Sequence, residues 1–147
     1  ALTNIGPTMA NFGYSLEDTN TALAILSTRG IRGAEAGTAL KSMMTNLMRP
    51  TKEVTGTLDA LNVSLYDQNG ALKPLPQIIG DLGDAMEGLT EEQRNQTIQT
   101  LAGSYGMKAM NTLLAEGTTG WAEMSSKIGE AASAQETGFS RPSAPRR

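Results

Sequence analysis

The chain has 147 residues, enough for one domain with a core of its own. It contains no Cys and no His, which excludes disulfides, thiol chemistry, His-based triads and most zinc sites. Its net charge of −3 is uneven: residues 1–136 carry nine Lys and Arg against fifteen Asp and Glu, and the last eleven residues add three Arg, so the body is acidic and a poor platform for nucleic acid.

Residues are 39% hydrophobic but only 4% aromatic, so the core must be built from Leu, Ile, Ala and the eight Met, which pack adaptably. Residues 1–12 read as the end of a helix, with Ile5, Met9 and Phe12 on one face and Pro7 implying a kink or a start near Gly6. The chain begins at Ala1 inside this pattern, and the expectation is a piece of a longer polypeptide. No run approaches the roughly 20 apolar residues of a membrane span, and no signal peptide is visible. Gly13-Tyr14 is a break, and Ser15 caps the next helix with Asp18 at the third position. Leu16, Thr19, Leu23 and Leu26 form its predicted inward stripe.

Gly30 falls where a left-handed helix stop belongs, and Ile31 can return onto Leu26. A helix then opens near Gly33 with Glu35 in its first turn, where a negative charge suits the dipole. Ala36, Ala39, Leu40, Met43, Met44, Leu47 and Met48 recur at the spacing of one buried face. Thr38, Lys41, Ser42, Thr45 and Asn46 fall on the other, and Arg49-Pro50 closes the helix. Thr51 caps a short helix with Val54, Leu58 and Leu61 inward, stopped at Asn62 with Val63 returning onto Leu58.

The alternation of Val63 to Tyr66, the turn cluster Asp67-Gln68-Asn69-Gly70 and the following Ala71-Leu72 predict one small β-hairpin near residues 63–73. Pro74 and Pro76 open a helix with Leu75, Ile78, Ile79, Leu82, Ala85, Met86 and Leu89 in one stripe, ended by Gly88. Gly80 and Gly83 interrupt it, each costing about 1 kcal/mol relative to Ala, which implies close approach by a neighbouring helix. Thr90 and Gln93 form a capping box for a helix with Ile98, Leu101 and Ala102 inward. After a bend at Gly103–Gly106, Ala109, Met110, Leu113 and Leu114 lead to a stop at Gly117. A last helix is predicted from about Thr119 to Gln135, with Trp121, Met124, Ile128 and Ala131 on one side. From Thr137 the pattern vanishes, and TGFSRPSAPRR, with Arg141, Arg146 and Arg147, reads as a disordered basic tail.

The run GIRGAEAGTALKSMMTNLMRPT, preceded by SLEDTNTALAILSTRG, closely resembles the core region of phage tail tape measure proteins, also called phage-related minor tail proteins. LNVSLYDQNGALKPLPQIIGDLGDAM and LTEEQRNQTIQTLAGSYGMKAMNTLLAEG continue the resemblance in order, from about Ala1 to about Glu136. It implies a structural protein whose long helical chain lies in the lumen of the tail tube, fixes tube length during assembly in the host cytoplasm, and leaves ahead of DNA during infection. It implies as partners the tube subunits, tail assembly chaperones and further copies of itself, with host envelope contact by the full-length protein and no specific nucleic-acid binding. The tail from Thr137 departs from the family pattern, where continuing helix is expected.

Several residues suggest chemistry and are better read as structure. Glu91 and Glu92 are adjacent carboxylates, and some tape measure proteins carry cell-wall hydrolase domains, so a peptidoglycan-hydrolase-associated segment is one alternative. Glycosidic hydrolysis needs carboxyls facing each other across a bond, whereas adjacent helical residues diverge, and favourable charge at a helix start explains the pair. Asp81, Asp84 and Glu87 could attract a hard cation but lack a Ca²⁺ loop pattern and read as a solvated face. The glycines of GIRGAEAG lack the lysine and strand of a phosphate loop and read as turn and packing residues, Gly37 permitting a close helix crossing. Met43, Met44, Met48, Met107 and Met110 could form an adaptable interaction surface, but core packing accounts for them. The expectation is a mainly α bundle of about seven short helices over residues 1–136, with no catalytic, cofactor-binding or metal-ligating residues. A generic helical interaction module is the other alternative, and the chain is expected to be soluble and helical on its own.

Overall fold

The computed structural model describes residues 2–143, with side-chain surroundings for residues 7–130. Seven helices follow one another: α1 (Leu2–Phe12), α2 (Leu16–Thr28), α3 (Gly33–Leu47), α4 (Lys52–Leu61), α5 (Leu75–Ala85), α6 (Glu91–Ala102) and α7 (Met107–Ser143).

Three of the reversals use one local device. At Gly13, Gly30 and Asn62 the backbone turns left-handed, with φ of 97°, 87° and 60°. Each time the next residue donates back across the last turn: Tyr14 N–H to Met9 O at 2.9 Å, Ile31 to Leu26 at 2.9 Å and Val63 to Leu58 at 3.0 Å. These bonds satisfy carbonyls that a helix end leaves open. The predicted stops at Gly30 and Asn62 therefore hold. Starts are fixed as locally: the hydroxyls of Ser15, Thr51 and Thr90 accept from Asp18 N, Val54 N and Gln93 N, and Thr90 N–H donates in turn to Gln93 Oε1 at 3.0 Å.

α3 and α7 are the hubs. α3 packs against α1, α2, α6 and α7, and α7 packs against α2, α3, α5 and α6. The predicted stripes of α3 and α5 are the core: Ala36, Ala39, Leu40, Met43, Met44 and Leu47 are buried, as are Leu75, Ile78, Ile79, Leu82 and Met86, with Ile98, Leu101, Met110 and Leu113 between them. Met48 and Met107 are half-buried against this core. α5 ends at Ala85, three residues before the predicted Gly88.

Four expectations need correcting. The inward face of α2 is Thr19, Thr21, Ala22, Ile25 and Leu26, while Leu16 is 60% exposed. The two threonines are tolerated inside because each hydroxyl donates to a carbonyl one turn back, Thr19 to Ser15 and Thr21 to Glu17. α1 runs unbroken through Pro7 rather than starting at Gly6.

No strand forms among the described residues. The predicted β-hairpin near residues 63–73 reduces to a single antiparallel bridge between Tyr66 and Leu72. The turn itself is well made, with Asp67 Oδ1 accepting from Asn69 N and Ala71 N at 2.9 Å each and Gly70 at φ 83°. Two bonds flank the bridge, Asp67 N–H to Ala71 O at 2.8 Å and Lys73 N–H to Leu65 O at 2.9 Å. The next hydrogen-bonded pair in register would be Val63 with Leu75, but the Val63 N–H is already given to Leu58 O in the stop of α4 and Leu75 begins α5.

At the other end, Gly117 breaks α7 as predicted, with φ 67° and ψ −170°. Helical backbone then continues past Thr137 to Ser143, where the sequence predicts none. Once a helix is nucleated, each added residue gains a bond, so a weak pattern suffices to prolong it. Arg146 and Arg147 lie outside the described residues.

Near the start of α2, Tyr14 is buried and its hydroxyl has no hydrogen-bond partner among the described residues. Asp18 lies close to it. Burial raises the Asp18 carboxyl above its ordinary value, the Leu75 backbone N–H opposes that, and Glu17 adds to it.

Candidate interaction surface

The face of α3 turned away from the core carries the polar residues that separate its apolar stripe. Opposite it stands the α6–α7 turn, and α3 itself holds that turn in place. Asn46 Nδ2 donates to Thr100 O at 2.8 Å and Leu101 O at 2.9 Å, carbonyls that the end of α6 would leave open. The chain then reverses at Gly103, with φ 78°. Gly106 lands on the α3 backbone: a Cβ there would lie 2.6 Å from Met43 Cα and 2.7 Å from Met43 N, and closer still to Ala102 O.

With both ends of the turn fixed, Ser104 and Tyr105 are presented outward, and Tyr105 is 83% exposed. A groove of about 620 Å³ runs between them and α3, lined by Thr38, Lys41, Ser42, Thr45, Asn46 and Arg49 on one side and Gly103–Tyr105 on the other. Across Tyr105 lies a second depression of about 410 Å³, bordered by an ion pair of Lys108 with Glu35 at 2.7 Å. No carboxylate lines the first groove.

Lys41 and Arg49 are exposed and make no ion pair among the described residues. The groove thus offers hydroxyls, an amide, two cations and one exposed phenol ring. That set can bind an anionic or polar surface.

The weighed candidates fall elsewhere. Glu91 and Glu92 are exposed in the first turn of α6, behind a complete capping box. Asp81 pairs with Lys73 at 3.1 Å, and Asp84 and Glu87 are exposed. No cluster of three acids suited to a metal occurs among the described residues. Gly30 and Gly33 are exposed at a helix stop and a helix start, and Gly37 is buried on α3. Met43, Met44 and Met110 are fully buried in the core. The side chain of Arg141 lies outside the described residues.

Spacing puts Asn46 on the outer face without indicating its partners, and Gly103–Gly106 reads as a bend without the ring it displays. The available signal was one aromatic flanked by glycines in GSYG, directly after a helix.

Residues 1–103 match the model of the phage-related minor tail protein family. The chain is 37% identical over 117 residues to the tape measure protein of Pneumococcus phage Dp-1, covering 80% of this chain and 10% of that protein. It is 28% identical over 122 residues to the probable tape measure protein of Escherichia phage P2, covering 82% of this chain and 15% of that one. No solved structure matches the chain.

Proposed function

The chain belongs to the phage-related minor tail protein family, and from that premise we propose that it is a folded, non-catalytic segment of a tail tape measure protein, acting in the phage tail through contacts. The observation that carries this reading is similarity to tape measure proteins over four-fifths of the chain, on a helical body whose groove offers contact groups and no opposed carboxylates. Residues 1–136 are the folded unit and residues 137–147 a basic extension. The full-length protein lies in the lumen of the tail tube, sets its length during assembly in the host cytoplasm and leaves ahead of DNA. Tube subunits, assembly chaperones, further copies of itself and the host envelope are its partners.

A helix adds about 1.5 Å per residue, so 136 residues in a single extended helix would account for about 200 Å of tube. A bundle of short helices contributes far less length than that. In-frame deletion of residues 1–136 in the parent phage or prophage, with tails examined by electron microscopy, tests the role. Failed or irregular tail assembly is the expected result. Tails shortened by the full helical length would show that the segment acts as ruler rather than as a folded contact unit. Tails unchanged in number, length and infectivity would overturn the structural reading.

A further inference from the structure

We infer that the α3 groove docks a second copy of this chain, which presents to it the acidic ridge at its own α5–α6 turn. The inference rests on the contact-based reading above and names the partner of that same surface.

The ridge is Asp84, Glu87, Glu91 and Glu92. All four are exposed and none is in an ion pair among the described residues. Glu91 and Glu92 suit the start of α6, but Asp84 lies in the last turn of α5 and Glu87 just beyond it, where the helix dipole disfavours negative charge. That half of the ridge is not accounted for by the stability of its own helix. An incoming cation would relieve it.

The groove supplies the cations. Lys41 lies on α3 and Arg49 two residues past its end, both on the wall of the groove, and Tyr105 stands opposite them as an aromatic anchor of the kind that dominates interface energies. In one copy the two surfaces cannot satisfy each other. The ridge sits at the start of α6 and the groove at its end, roughly 16 Å along a 12-residue helix and beyond the screening length of about 8 Å at physiological salt. A second copy brings them into contact. Because groove and ridge are different surfaces, each contact leaves one of each free, so association is head-to-tail and continues until a ring closes.

Sedimentation of the 147-residue chain over a range of concentrations and salt tests this. Association at low salt that weakens as salt rises is expected. Lys41→Glu with Arg49→Glu, and separately Glu87→Lys with Glu91→Lys, each weaken it about tenfold or more, and mixing the two charge-reversed chains restores it. Tyr105→Ala weakens it without changing its salt dependence. All these side chains are exposed, and unchanged circular dichroism verifies that each variant folds. A monomer at every salt, or association indifferent to both reversals, would overturn the interface. Neither result touches the tail-assembly test, which reads the structural role separately.

Discussion

Gly106 and Gly56 are both glycines beside or within helices, and their surroundings make them opposites. A methyl at Gly106 would press on the backbone of Met43 and Ala102, which cannot swing aside as a side chain can. Gly106→Ala is expected to cost about 2 kcal/mol or more, by the overpacking of a close crossing. Gly56 is exposed in α4 with nothing within 4 Å of a built Cβ, so Gly56→Ala should add about 1 kcal/mol through helix propensity alone. Urea denaturation midpoints of the two variants check the pair. The sequence shows two glycines and a helical pattern around each. The crossing partner, 63 residues earlier in the chain, is invisible until the fold brings it in.

Asp18 carries a pH dependence of definite sign. Its folded-state value lies above the ordinary 3.8 because burial disfavours the charged carboxylate. The folded chain therefore holds that proton more readily than the unfolded chain. Its contribution to stability is fully present below the unfolded value and is lost as pH rises through the raised one. Relative to Asp18→Asn, the native chain should gain stability on acidification from neutral pH toward 3.8. Denaturation of both proteins across that window measures the difference. A native chain that loses stability relative to the variant over the same window contradicts the assignment.

Among the elements, legibility followed how much of the information was local. Capping residues, left-handed stops and the stripes of α3 and α5 are written within a few positions, and they survive folding. On α2, Thr19 and Leu26 face inward as expected, but a stripe scored on large apolar residues favours Leu16 and Leu23 over Thr21, whose hydroxyl is satisfied by Glu17 O inside the helix itself. The hairpin shrinks to one bridge because turn chemistry fixes a reversal but not the length of the ladder that follows it. Asn46 is the clearest case of a role that spacing hides, since its partners lie 54 and 55 residues away.

Two substitutions separate these kinds of information. Thr90→Ala should cost about 1 kcal/mol, the usual loss for an N-cap. Its effect should appear as faster hydrogen exchange at the start of α6. Asn46→Ala should cost about 1–2 kcal/mol by leaving carbonyls without a donor. Its effect should appear at the end of α6 and in the turn carrying Tyr105. Exchange changes confined to α3 in the Asn46 variant would show that the side chain does not hold that turn.

For the molecule as a whole, α1, α2, α5 and α6 pack on α3, on α7 or on both, α4 packs on α6, and both ends of the turn that displays Tyr105 rest on α3. The groove is therefore a product of the core: the same helix that buries Met43 and Met44 carries Lys41 on its back and leads, two residues past its end, to Arg49. Trp121 is the sole tryptophan and is 5% exposed, so its fluorescence reports this packing. Emission should be that of a buried indole and should shift to longer wavelength together with the loss of helical signal on heating. A shift well ahead of helix loss would mean that the α7 anchor releases independently.

That anchor has a mechanical side. Ahead of Gly117, α7 is held by Met110, Leu113 and the Arg29–Glu116 pair; after it, Trp121 is buried, Met124 and Ile128 are half-buried, and the intervening residues through Glu130 are largely exposed. Among the residues whose side chains are described, tension arriving from the C-terminal side would meet Trp121 as the first buried one, with the glycine as a swivel just behind it. The outer arm can then peel away and realign along the line of pull while the bundle keeps its shape.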